Sequence, residues 1–133
     1  SALLCRIKAM GFLVKLDTNG SKSNVLQDLL KNNLVDYIAM DIKAPLHMYN
    51  RLSGVRASIS QIIESIALIS QSGIAHEFRT TVVKFLLSAK DVRVIQKLVP
   101  SGSTHHLQKF CPEHAFDPAL RKYTNIYSGD LPL

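Results

Sequence analysis

Charged side chains share one face of several segments that have the pattern of β-strands. Side chains alternate between the two faces of a strand, so Asp41 and Lys43 fall on the same face of their segment. Asp17 lies on the charged face of an earlier segment, and Arg79 lies on that of a later one. Strands buried on both faces in an α/β protein are normally almost entirely apolar. Because burying an unpaired charge is costly, these side chains must pair together, reach solvent or bind a ligand.

The mixture of charges indicates the kind of ligand. Two carboxylates, an ammonium and a guanidinium suit a molecule that carries both an ammonium and a carboxylate, as an amino acid does. Asp17, Asp41 and Lys43 lie at the carboxyl ends of their predicted strands, and parallel barrels place their active sites at that edge. The sequence therefore predicts a ligand pocket there. An internal salt-bridge network without a ligand remains the alternative.

Strand-like and helix-like segments alternate along the chain. The predicted strands are 13–17, 35–42, 77–83 and 104–110, and the predicted helices are 2–10, 25–30, 59–69 and 88–99. Ser88 and Asp91 fit a capping box, and Gly73 is suited to end the helix before it. This order predicts parallel strands joined by right-handed crossovers, in a barrel segment or an open doubly wound sheet.

The composition is that of one globular domain. The 133 residues are 47% hydrophobic and 20% charged, and no apolar run approaches the roughly 20 residues of a membrane helix. Although the net charge is +6, the basic residues are dispersed, which argues against nucleic-acid binding. Two unpaired cysteines, Cys5 and Cys111, and the lack of a secretory signal favour the cytoplasm.

Three segments together resemble the radical S-adenosylmethionine superfamily, and within it the activases of glycyl radical enzymes. They are VKLDTNG (14–20), DYIAMDIKAP (36–45) and EFRTTVV (77–83), with a weaker fourth, LQKF (107–110). The resemblance extends to about Pro112. It implies a partial barrel that holds S-adenosylmethionine against a four-iron four-sulfur (4Fe-4S) cluster, whose electron cleaves the sulfonium to a 5'-deoxyadenosyl radical. That radical takes a hydrogen atom from a glycine of the partner, an anaerobic ribonucleotide reductase or pyruvate formate-lyase type of enzyme.

The resemblance also implies roles for individual residues, none of them catalytic or metal-binding. It assigns cofactor binding to Asp17, Thr18, Asn19, Asp41, Lys43, Arg79, Thr81 and Gln108. The first four would form a polar or monovalent-cation site beside the carboxylate of the cofactor. Lys43 would approach that carboxylate or the substrate peptide, Arg79 would bind the cofactor, and Thr81 would line its pocket. The assignment of Gln108 to cofactor binding rests on the weaker fourth segment.

The sequence departs from the family in one large respect. The C-x3-C-x2-C motif that binds the cluster and the following GGE-type segment are both absent. We therefore expect residues 1–112 to be the C-terminal part of a parallel (β/α)6 partial TIM barrel, about four βα units, followed by an irregular tail over 113–133 with one helical turn. Without cluster thiolates this fragment should not turn over alone, and only the full-length parent would hold the cluster. Its exposed first strand would favour homo-oligomers.

Three other interpretations remain open. Cys111 and His114, with His105 or His106, form half of a zinc-like pattern that lacks a complete ligand set. Asp41-x-Lys43 is similar to an element of barrel decarboxylases that act on sugar phosphates, but position 46 is leucine, where a second carboxylate is needed. A non-catalytic binding module derived from an eroded barrel is the third possibility.

Overall fold

Four parallel strands form a single sheet in the computed structural model, which describes residues 2–53, 58–115 and 117–126. The strands are β1 (Lys15–Thr18), β2 (Tyr37–Asp41), β3 (Ala75–Val82) and β4 (Thr104–Lys109). Their order in the sheet is their order along the chain, and every neighbouring pair is parallel. The predicted α/β alternation and parallel pairing are therefore confirmed.

The connections between strands are helical. The helices are α1 (Ala2–Ala9), α2 (Ser23–Lys31), α3 (Tyr49–Leu52), α4 (Ile59–Gln71) and α5 (Ala89–Gln96), with 3-10 segments at Leu46–Met48, Pro112–His114 and Pro118–Ile126. The helix α4 has isoleucines at helical spacing, so that one stripe faces the sheet. None of the described helices has the length and apolar character that a membrane crossing requires.

One face of the sheet is buried under the helices. Ile38, Met40 and Phe78 are fully buried there. They share a core with side chains from α2, α4 and α5. Sequential strand order with helices packed on one face fits a segment of a β/α barrel, whereas a doubly wound sheet reverses its strand order and carries helices on both faces.

The ends of the helices follow the expected local chemistry. Ser88 and Asp91 form the predicted capping box, with the Asp91 amide donating to Ser88 Oγ at 3.2 Å and the Ser88 amide donating to Asp91 Oδ2 at 2.9 Å. Gly73 follows α4 with a φ of +72°. The helix α5 ends at Gln96, short of the expected Val99, because the Leu98 and Val99 amides bond to carbonyls three residues back.

The last described segment is more regular than the sequence predicts. A 3-10 helix covers Pro118–Ile126, where we expect one helical turn in an otherwise irregular tail. Asp117 starts it, since its side chain accepts from the Ala119 amide at 2.9 Å and its carbonyl accepts from the Leu120 amide at 3.0 Å. The rest of the predicted tail, 127–133, lies outside the described residues.

Candidate functional site

The predicted charges lie on the sheet face opposite the core helices. In the sheet register Asp17 is paired with Ala39, and Asp41 with Arg79. Registered partners of parallel strands point the same way, so alternation defines one face, which we call the open face. Strand by strand it carries Lys15 and Asp17; Tyr37, Ala39 and Asp41; Glu77, Arg79 and Thr81; and Thr104, His106 and Gln108.

One guanidinium joins two carboxylates at the carboxyl end of this face. Arg79 Nη1 lies 2.6 Å from Asp17 Oδ1. Its Nε donates to Asp41 Oδ1 at 2.9 Å, and its Nη2 lies 2.9 Å from the same oxygen. The Arg79 side chain is 18% exposed, whereas Asp17 is 57% and Asp41 39% exposed. Both carboxylates of this Asp17–Arg79–Asp41 bridge therefore remain accessible.

The bridge keeps its arginine charged. Burial alone lowers the pKa of Arg79, but hydrogen bonds and Coulomb attraction from Asp41 and Asp17 outweigh it, and the pKa is raised. A guanidinium retains its proton at all physiological pH values. The bridge thus carries two negative charges against one positive charge and favours a further cationic group nearby.

A cleft adjoins the bridge and is polar on one side and apolar on the other. Its polar side consists of Asp41, Lys43, Arg79 and Thr81. Its apolar side consists of Ile42, Leu52, Val83, Leu86 and Leu87. The enclosed volume is about 160 Å³, below the roughly 300–1,000 Å³ of typical ligand pockets. These residues can therefore hold one end of a larger ligand.

The loop after β2 shapes one wall of this cleft. The buried Tyr49 hydroxyl accepts a hydrogen bond from the Lys43 amide at 3.4 Å, which draws α3 against the strand end. Burial raises the pKa of Tyr49, so its hydroxyl stays protonated. Leu52, three residues later, then lines the cleft, while the Lys43 side chain is exposed at its rim. Sequence reasoning missed Tyr49 and Leu52, since both read as residues of a connecting loop.

Two predicted site residues lie apart from the bridge. Thr18 is in register with Met40, on the helix-covered face, and its hydroxyl accepts from the Gly20 amide at 3.1 Å. The Asn19 side chain accepts from the Ser21 amide at 3.0 Å. Both side chains stabilise the turn after β1, and the structure does not bring them to Asp17. Their expected role beside the cofactor stays a prediction.

Thr81 and Gln108 extend the open face toward β4. They are registered partners, so their side chains point the same way. Thr81 lines the cleft, whereas Gln108 is exposed on the next strand. The structure thus groups Asp41, Lys43, Arg79 and Thr81 at the cleft, with Asp17 joined through the arginine and Gln108 at the side.

A second ionic cluster occupies the amino half of the open face. Glu77, 16% exposed, lies 3.5 Å from Lys15 Nζ and 3.4 Å from His106 Nε2. Burial raises the pKa of Tyr37, and the charge of Glu77 and a hydrogen bond to it raise it further. The Lys15 ammonium lies 5.1 Å from the centre of the Tyr37 ring. This Glu77 cluster is separate from the salt-bridge network that the sequence leaves open, which concerns the residues of the Asp17–Arg79–Asp41 bridge and Lys43.

The loop that follows Asp17 is anchored from the helical side. Gly20 has a φ of +71°, and a Cβ at this position would collide with Met40 Cε. The fully buried Ser65 of α4 donates its hydroxyl proton to the Gly20 carbonyl at 2.8 Å. The Ser23 hydroxyl, at the start of α2, donates to Glu64 Oε2 of α4 at 2.7 Å. Sequence reasoning treats Asn19-Gly20 as an ordinary turn, because Ser65 is distant along the chain.

The thiols of the chain do not fit an iron–sulfur cluster. The sequence has two cysteines, and both Cys5 and Cys111 are free and exposed. Within 2–53, 58–115 and 117–126, no three His, Cys, Asp or Glu side chains converge on a metal position. The donor set for a cluster is therefore lacking in this chain, and the zinc-like half-site gains no support.

Comparison with known proteins yields one informative relative. No protein-family model and no solved structure matches the chain. A protein of Methanocaldococcus jannaschii named a glycyl-radical enzyme activating enzyme is 33% identical over an alignment of 119 residues that covers 86% of this chain and 50% of the relative. The match supports the activase family. The chain spans about half the length of this relative.

Proposed function

We propose that this chain is the S-adenosylmethionine-binding portion of a glycyl-radical enzyme activase. The observation that carries the proposal is the Asp17–Arg79–Asp41 bridge beside a cleft that also contains Lys43. The homologue named an activating enzyme adds independent support. Bound S-adenosylmethionine would supply the hydrogen-abstracting chemistry, and the residues of this chain bind and orient it.

The charges of the site complement the cofactor group by group. The accessible oxygens of Asp17 and Asp41 attract its ammonium and sulfonium. The Lys43 ammonium and the remaining guanidinium hydrogens of Arg79 attract its carboxylate. The apolar wall formed by Leu52 and its neighbours accommodates less polar parts. Because the cleft is small, we propose that it holds only part of the molecule.

The remainder of the activase would come from outside these residues. A cluster needs at least three closely spaced thiolates, which this chain lacks, and the chain spans half of its relative. We therefore propose that protein beyond these 133 residues supplies the cluster and that the portion alone does not turn over. A glycyl radical enzyme of the anaerobic ribonucleotide reductase or pyruvate formate-lyase type is the proposed partner. Cytoplasmic location and association through the β1 edge also stay predictions.

A structural role without a ligand is the second candidate. It is favoured because all three nitrogens of the Arg79 guanidinium already contact the carboxylates of Asp17 and Asp41. The Glu77 cluster shows that the same face also builds ion pairs among residues that do not line the cleft. In this interpretation the bridge would only stabilise the sheet of a non-catalytic binding module derived from an eroded barrel.

Calorimetric titration with S-adenosylmethionine separates the two candidates. We expect saturable binding to the wild-type chain, and binding about tenfold weaker for Asp41→Asn, which loses a charged contact. Asp28→Asn is the matched control, since Asp28 is exposed on α2 and should leave the affinity unchanged. A second titration with a sugar phosphate tests the decarboxylase-like alternative.

The outcomes are distinct. If the folded wild-type chain binds neither compound and Asp41→Asn changes only the free energy of unfolding, the structural role is correct. If the sugar phosphate binds and S-adenosylmethionine does not, the activase proposal fails in favour of the lyase-like alternative.

A further inference from the structure

We infer that Ala39 is a positioning residue, whose small side chain leaves the path over β2 along which Arg79 reaches Asp17. The consequence for ligand binding rests on the proposed function, but the geometric claim does not. Ala39 lies on the open face of β2, in register with Asp17 on β1 and with Glu77 on β3, and two residues before Asp41. An alanine in a strand ordinarily reads as core filling, so the sequence gives no sign of this role.

The register requires the arginine to cross a strand. Arg79 belongs to β3 and Asp17 to β1, and β2 lies between these strands. Neighbouring strands are about 4.8 Å apart, so β1 and β3 are separated by roughly 10 Å. Since Arg79 Nη1 lies 2.6 Å from Asp17 Oδ1, the side chain must extend over the surface of β2. Because Asp17 is in register with Ala39, the Arg79 side chain crosses β2 close to Ala39.

The burial of Ala39 agrees with this path. Ala39 is 0% exposed, although the core helices pack on the other face of the sheet. Lys15 and Asp17 on the same face are more than half exposed. Side chains of the open face therefore cover Ala39. Glu77 is its registered neighbour on β3, and Arg79 reaches across β2 to form ion pairs with β1 and with β2.

A branched side chain at position 39 would occupy this path. The bond from Arg79 to Asp41 would persist, because these residues are registered neighbours. The longer contact to Asp17 would be lost, and the Nη1 end of the guanidinium would move away from β1. The arginine would then present its free hydrogens to the cleft in a different direction, and the Asp17 carboxylate would lose its fixed position.

Nuclear magnetic resonance tests the geometry without any ligand. In the wild-type chain we expect a slowly exchanging Arg79 Nε–H signal and resolved, protected Nη1 hydrogens. In Ala39→Val the Nη1 protection should disappear while the Nε–H signal remains. Ala39→Ser, of nearly the same size, should resemble the wild type. If Ala39→Val does not fold, Ala39→Thr provides a second branched side chain of similar bulk.

Affinity for S-adenosylmethionine then tests the consequence. Ala39→Val and Asp17→Asn should each weaken binding about tenfold, and the double variant should bind no more weakly than either, because both remove the same contact. Ala39→Ser should bind as the wild type does. Retained Nη1 protection in both branched variants, or additive effects in the double variant, would overturn the inference.

The two proposals can fail separately. If the wild type does not bind S-adenosylmethionine while Ala39→Val still loses the Nη1 protection, the proposed function is wrong and the positioning role stands. If the wild type binds and the branched variants keep both affinity and protection, the positioning role is wrong and the proposed function stands.

Discussion

The two halves of the open face are both ionic and yet differ in what they offer a ligand. In the amino half, Glu77 is largely buried and is flanked by Lys15, Tyr37 and His106. In the carboxyl half, the Asp17–Arg79–Asp41 bridge leaves both carboxylates accessible and adjoins a cleft with an exposed Lys43. Ion pairs alone therefore do not mark a binding site. By our proposal, accessible charge beside an apolar-lined cleft at the strand ends does.

Loss of Arg79 should have the largest effect. Arg79→Met removes the shared partner of Asp17 and Asp41 and leaves two carboxylates close together. We expect S-adenosylmethionine binding to fall below detection by calorimetry, and the free energy of unfolding in urea to fall by about 2 kcal/mol, a value reduced by the exposure of Asp17. Arg79→Lys should restore only part of the affinity, since an ammonium cannot reproduce the planar contacts. Full binding by Arg79→Met would contradict the account.

A change in the loop after β1 should have the next largest effect. Gly20→Ala combines a left-handed backbone with a collision between the new Cβ and Met40 Cε, and should cost about 2 kcal/mol in urea unfolding. Gly102→Ala is the matched control, because Gly102 also has a positive φ, +86°, but open space around its Cβ position. It should cost about 1 kcal/mol. Equal losses for the two variants would show that packing at Gly20 is unimportant.

A change in the Glu77 cluster tests the comparison of the two halves directly. Glu77→Gln weakens the ion pair with Lys15 and the contact with His106, and should lower the free energy of unfolding by about 1 kcal/mol. It should leave the calorimetric affinity for S-adenosylmethionine unchanged, in contrast to Asp41→Asn. If Glu77→Gln loses as much affinity as Asp41→Asn does, both halves of the open face contribute to binding and the distinction between them is wrong.

The smallest expected effect is on the stability of the fold in acid, and it concerns a residue outside both halves of the open face. A hydrogen bond from Lys8, then one from the Val14 amide, lowers the pKa of Asp36 below its ordinary 3.8. The stabilisation is therefore complete above pH 3.8 and is lost as the pH falls through the lower folded-state pKa. In Asp36→Asn this part of the acid dependence should be absent from unfolding curves recorded below that pH. If the loss of stability at low pH is the same in Asp36→Asn as in the wild type, Asp36 does not contribute to that loss.

Alternation along the strands and the position of the charges near strand ends predict part of the site. Periodicity places Asp17, Asp41 and Arg79 each on the charged face of its own strand, and the sheet register shows that these faces coincide. The same rule places Thr18 on the opposite face from Asp17, although the family motif groups the two residues. Local periodicity was therefore a better guide to orientation than adjacency within a motif.

Long-range contacts explain what the sequence did not reveal. Tyr49, Ser65 and Ala39 act through partners on other elements: the Lys43 amide, the Gly20 carbonyl and, by our inference, the Arg79 side chain. None of these pairings has a sequence pattern, since each depends on how the strands and helices pack. The strand order and the single helical face, which fit a segment of a β/α barrel, likewise became clear only from the structure.

Chemical-shift mapping during titration with S-adenosylmethionine tests the central claim most directly. The account predicts saturable shifts of the Lys43 and Thr81 amides and of Arg79 Nε–H, with the signals of Tyr37, Glu77 and His106 nearly unchanged. Shifts confined to the Glu77 cluster, or no shifts at all in the folded chain, would contradict the assignment of the carboxyl half of the open face as the binding site.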